Sequence, residues 1–131
     1  RVGTGEAGMN TYLRTLAVFY LYGALVHLAD LLSLGHHLGQ THGLAFPEMS
    51  LPWQIGTVGF AAVDLVAAAG LWLRASWGVM AFLAAAVAQI VMYTFYSATF
   101  GNHRGLVGFH LATIAIYGVL LIRARPRSLG S

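Results

Sequence analysis

Residues 53–100 read WQIGTVGFAAVDLVAAAGLWLRASWGVMAFLAAAVAQIVMYTFYSATF. Two apolar runs, Trp53 to Leu73 and Trp77 to Phe100, are joined by a tight turn at Arg74, Ala75 and Ser76. Each run is close to the roughly 20 residues that a helix needs to cross a ~30 Å hydrocarbon core. The same pattern extends to both sides. Thr11 to Leu34 precedes this pair, opened by Asn10 and Thr11 and closed at Gly35, and Leu106 to Ile122 follows it. The spacing predicts an all-α, integral membrane, antiparallel four-helix bundle. Spans lie at about 11–34, 53–73, 77–100 and 106–122 within one domain over 11–124, flanked by a polar segment 1–10 and a basic tail 125–131.

Composition points the same way. Of 131 residues, 58% are hydrophobic and 8% charged, against about a quarter charged in a water-soluble domain. So few charges cannot cover a soluble surface. The first apolar run is longer than a signal-peptide core and has no small-residue cleavage pattern, so it reads as a retained span. The net charge of +3 comes from arginine alone and sits at segment ends, which argues against nucleic-acid binding, where a clustered basic face is needed. Arg14, Arg74, Arg123, Arg125 and Arg127 fall beside one end of the spans and Arg104 beside the other. By the positive-inside rule both termini of this multi-pass protein are expected in the cytoplasm, with the two histidine-bearing loops outside. Trp53, Trp72 and Trp77 stand at expected helix ends, where indoles favour the headgroup zone. Small residues, Ala84 to Ala86 with Ala88 and Gly56 with Gly59, are expected to let helices pack closely.

No cysteine is present, which removes thiolate metal sites and cysteine nucleophiles. No G-x-S-x-G is found either, so hydrolase chemistry has no nucleophile elbow. The six histidines are the most informative feature: His27, His36, His37, His42, His103 and His110 all fall in the half of the bundle away from the termini or in its loops. Asp30 follows His27 by three residues and shares its helix face, placed to orient the imidazole or to pair with it. Gly23, one turn before His27, leaves room for a neighbouring helix or a flat cofactor. Gln89, Tyr93 and Tyr96 make a polar stripe on the third span; His103, His110 and Tyr117 recur at intervals of seven near the fourth; Asp64 lies near the middle of the second.

Three readings compete for this constellation. His27 and His110, at similar expected depths, could face each other across the bundle and hold a haem or a metal with Asp30 behind them, as cofactors are held between facing helices. A quinone could be bound by His27, Asp30, His110, Tyr93 and Tyr96 in a polar pocket. Zinc or copper could be held by the loop histidines His36, His37, His42 and His103, with Glu48. The plain alternative is structural, because a histidine in a span often only bonds a neighbouring helix. Asp64 reads equally as a proton relay or as a buried hydrogen-bonded acid.

Asp64 to Tyr93 carries an acidic residue, a small-residue run, Gly70-Leu71-Trp72-Leu73-Arg74, a tryptophan turn and an Ala-rich helix. This resembles the small DoxX-like four-helix membrane proteins of bacteria over about half the chain. The resemblance implies a four-span inner-membrane bundle and, for some members, association with quinone-linked redox enzymes as a small subunit. The expectation is therefore a non-catalytic membrane subunit or accessory protein of a redox or cofactor-handling system, with other membrane subunits or a second copy as partners. The alternatives are an enzyme or transporter acting on a small lipophilic substrate, or a purely structural subunit.

Overall fold

The computed structural model describes residues 4–34 and 44–125. Five helices are present: α1 (Thr4–Leu31), α2 (Leu51–Trp72), α3 (Ser76–Phe95), the four-residue α4 (Ser97–Phe100) and α5 (Arg104–Ala124), with a 3-10 turn at Phe46–Glu48 before α2. The four long helices are each long and apolar enough to cross a bilayer. They form a closed ring in which α1 packs on α2, α2 on α3, α3 on α5 and α5 back on α1. Neighbours run in opposite directions. Thus Gly5, at the start of α1, lies against the backbone of Arg123 and Ala124 at the end of α5, while the Tyr12 hydroxyl bonds the Thr113 carbonyl further along.

The centre is small and apolar: Leu13, Leu16, Ala17 and Tyr20 of α1 meet Ala67, Ala68 and Leu71 of α2 and Phe82, Ala85 and Ala86 of α3. Large apolar side chains such as Val18, Leu25, Ile55, Met80 and Ile122 point outward. In water this distribution would be an aggregation hazard; in lipid it is the expected solvated face, because tails are as apolar as leucine.

α1 begins seven residues earlier than the sequence predicts. Residues 4–10 read as a polar lead-in, yet Glu6 sits in the first turn, where a carboxylate complements the helix dipole, and Gly5 and Gly8 allow close packing on α5. The same helix ends at Leu31 rather than at Gly35. Ser33 takes a left-handed conformation (φ 57°), donating its N–H to Asp30 O while Leu34 N–H bonds Ala29 O, and this pair of bonds satisfies the last carbonyls. The Ser33 hydroxyl then accepts the Phe46 N–H at 3.2 Å, and the Gln54 amide donates to Phe46 O at 3.1 Å, tying the 3-10 turn over the helix end. α3 also differs. The chain breaks at Tyr96 (φ −114°, ψ 30°), where the crowded run Tyr93-Thr94-Phe95 weakens the helix, and α4 then brings the Phe100 ring to 5.2 Å from Trp53.

At the other end, α2 and α3 are joined by a turn with the same bond pair, Arg74 N–H to Leu71 O at 3.1 Å and Ala75 N–H to Gly70 O at 2.9 Å, with Arg74 left-handed (φ 57°). Arg14 stacks its guanidinium 5.3 Å from the centre of the Trp72 ring, which fixes α1 at this turn. A non-glycine residue in the left-handed region costs roughly 1–2 kcal/mol. Arg74→Gly is accordingly expected to raise unfolding stability in detergent by about 0.5–1 kcal/mol; an unchanged or lowered midpoint would show that the arginine side chain contributes more there than the backbone loses.

Candidate functional site

Two polar pairs lie between helices in the bundle interior. On the α1–α2 side His27 Nε2 approaches Asp64 Oδ2 at 3.6 Å, with the two side chains 21% and 7% exposed. The Phe60 ring stacks over the imidazole, centroids 5.9 Å apart and planes 27° apart. Gly23 makes this possible: a Cβ there would stand 2.9 Å from Asp64 Oδ2. Of the two occupants that a glycine before His27 could admit, the structure seats the neighbouring helix and its carboxylate. On the α3–α5 side His110, only 4% exposed, forms a short contact from Nε2 to the Gln89 amide oxygen, and Thr113 donates to the His110 carbonyl at 2.9 Å.

The carboxylate that reaches His27 is therefore Asp64, across the helix boundary, and not Asp30 on its own helix. Among the described residues Asp30 Oδ1 is buried without a partner, as are Nδ1 of His27 and Nδ1 of His110. An i, i+3 pair shares a face, but the side chains still diverge from the axis and a carboxylate on an adjacent helix approaches the imidazole end-on.

His27 and His110 do not face each other. Phe109 packs against Phe19 with ring centroids 5.6 Å apart, which places His110 beside the middle of α1. The eight residues from Phe19 to His27 carry the chain about 12 Å further along the helix. The register of α1 on α5, fixed by the contacts of Gly5 with Arg123 and of Tyr12 with Thr113, produces this displacement. Each imidazole is instead held by a different helix, which leaves the paired-histidine haem arrangement without geometric support.

The stripe Gln89, Tyr93, Tyr96 separates for a similar reason. Gln89 is buried and Tyr93 half-buried, but Tyr96, at the helix break, is 59% exposed. His103 stands just before α5, exposed, with its ring edge-on to Tyr93 at 4.6 Å. His110 is inside, and Tyr117 packs edge-on against Phe82 at 6.0 Å. The Glu48 carboxylate folds back to accept the Ala45 N–H at 3.0 Å. Among the described residues no three His, Asp or Glu side chains converge on a possible metal position; His36, His37 and His42 lie outside the described residues.

From residue 7 to residue 128 the sequence matches a family of unknown function, DUF6163. The chain belongs to this family. No curated protein and no solved structure matches it.

Sequence reasoning noticed Asp64 and Gln89 but assigned neither to a histidine. Gly23 was the readable signal for the first, since a glycine one turn from a buried imidazole marks where a neighbouring helix comes close. For the second no signal exists in the sequence, because the register of α3 against α5 is set by packing.

Proposed function

We propose that the protein is a small, non-catalytic, multi-pass subunit or accessory protein of a redox system in a bacterial inner membrane, with both termini cytoplasmic, and that the face of α1 bearing His27 and Asp30 binds a quinone-class lipid in its reduced form. One observation carries the ligand: two buried polar atoms without a partner among the described residues, His27 Nδ1 and Asp30 Oδ1, stand three residues apart on one helix. With the Asp64 carboxylate drawing the imidazole proton to Nε2, Nδ1 is left as an acceptor. Asp30 Oδ1 is a second acceptor. A ring that brings hydroxyl donors complements both, whereas in hydrocarbon an unmatched acceptor is costly. The Phe60 ring beside the imidazole offers a flat apolar wall. The redox setting rests on the likeness of residues 64–93 to the DoxX-like proteins, and the orientation on the arginine distribution.

The test is purification in mild detergent, organic extraction, and quantification of quinone alongside metal analysis. Stoichiometric quinone is expected from the wild-type protein, with a loss of about tenfold in His27→Ala and Asp30→Leu while elution stays monodisperse, the scale of one lost polar contact. A colourless, metal-free, quinone-free preparation would sink the proposal. Labelling of introduced cysteines next to Arg127 and Asn102 checks the orientation, the first being expected to react only from the cytoplasmic side.

A further inference from the structure

A cavity lies away from the His27 face. At the end of the bundle remote from the termini, α3, α4 and the start of α5 enclose an open cleft of about 380 Å³. Its rim is polar: Ser97 and Thr94 contribute hydroxyls, Asn102 an amide and Arg104 a guanidinium. Its floor, along α5, is Val107, Gly108 and Leu111. Among the described residues no carboxylate lines it. Arg104 opens a candidate membrane span, so the cleft passes from a cationic, hydrogen-bonding mouth to an apolar slot over the seven residues from Arg104 to Leu111, about 10 Å along the helix. That gradient is the profile of a lipid: headgroup above, acyl chain below.

We infer that this cleft is a binding site for an anionic phospholipid, the phosphodiester held by Arg104 with Asn102 and Ser97, and one acyl chain lying along Val107, Gly108 and Leu111. Charge complementarity chooses the class. A guanidinium matches phosphate geometry with paired N–H donors. The absence of any lining carboxylate leaves nothing to receive the ammonium of a zwitterionic headgroup. Tyr93 walls the inner side, braced by the His103 ring at 4.6 Å. Gly108 keeps the slot open, because a Cβ built there meets no atom within 4 Å. A larger side chain at that position therefore fills the cleft without disturbing the bundle.

The experiment is native mass spectrometry of the delipidated protein, with phosphatidylglycerol or phosphatidylcholine added back, paired with thermal unfolding in detergent. Wild-type protein is expected to retain phosphatidylglycerol about tenfold better than phosphatidylcholine: both carry the phosphodiester, but only the choline headgroup brings a cation that the Arg104 guanidinium repels and no lining carboxylate receives. Arg104→Gln should remove that preference. Gly108→Leu should abolish retention of both lipids while leaving the lipid-free unfolding midpoint unchanged. Equal retention of the two lipids, an undiminished preference in Arg104→Gln, or full retention in Gly108→Leu would each overturn the assignment. So would inorganic phosphate stabilising the protein as much as phosphatidylglycerol, since the site would then recognise the free ion. If Gly108→Leu lowers the lipid-free midpoint, Arg104→Lys is the deciding variant: it keeps the charge and should preserve part of the preference, and complete loss of preference alongside normal folding would overturn the assignment.

Discussion

Gly78→Leu is expected to destabilise the bundle by about 3 kcal/mol or more, or to prevent folding altogether. Where α2 turns into α3 the two backbones nearly touch. A Cβ on Gly78 would lie 2.1 Å from the Gly70 carbonyl carbon, and one on Gly70 would lie 2.3 Å from the Gly78 Cα. These are contacts to main chain, which cannot rotate aside as a side chain can. The helices must splay, and splaying would draw Leu71, which is fully buried, out of its contacts with Phe82 and the rest of the centre. Gly70→Leu should do the same. The comparison that isolates the cause is Gly56→Ala and Gly59→Ala, where a Cβ meets nothing within 4 Å; each should change stability by less than about 0.5 kcal/mol. Denaturant titration in mixed detergent micelles, followed by helicity, reads all four. A Gly78→Leu protein with a wild-type midpoint would mean that the α2–α3 contact is not as close as described.

Asp64→Ala is the second substitution expected to have a large effect, a loss of about 3 kcal/mol, because it leaves the His27 imidazole buried among apolar neighbours without the group that faces it. Interhelical polar contacts in membranes are worth only about 0.6 kcal/mol on average. A loss near that figure would assign Asp64 an ordinary packing role, so the size of the effect decides. His27→Leu alone should be comparably damaging, since it strands a carboxylate that is 7% exposed. The double variant His27→Leu, Asp64→Leu should recover most of the loss, because a matched apolar pair is often as stable as the ionisable pair it replaces. Additive losses in the double variant would show that the two side chains are not coupled. Gly23→Ala should cost less than either single change: its Cβ would meet the end of the Asp64 side chain, which can turn away.

Gly56 and Gly59 illustrate how far the sequence carries. Both stand in an apolar helix at a spacing that favours close helix contact, yet in the structure they face open space, while Gly70 and Gly78, in the turn-flanking positions, make the closest approach of the described glycines. Among the alanines of α3, Ala85 and Ala86 are buried and Ala84 and Ala88 are exposed. Small residues can be recognised in a sequence as suited to packing. Which of them are used depends on how each helix is rotated about its axis, and in apolar spans there is little polar patterning to set that rotation.

The four long apolar helices, their alternating direction and their suitability for lipid followed from the sequence alone, because the length and continuity of an apolar run depend only on neighbouring residues. The identity of the ionisable residues placed at depth followed as well. What they touch did not. The pairing of His27 with Asp64 and of His110 with Gln89, the separation of the two imidazoles, the outward turn of Tyr96 and the cleft at Arg104 all depend on helix register and on where each helix begins and ends. Register is the sum of many weak packing contacts between residues far apart in the chain, and no local pattern records that sum.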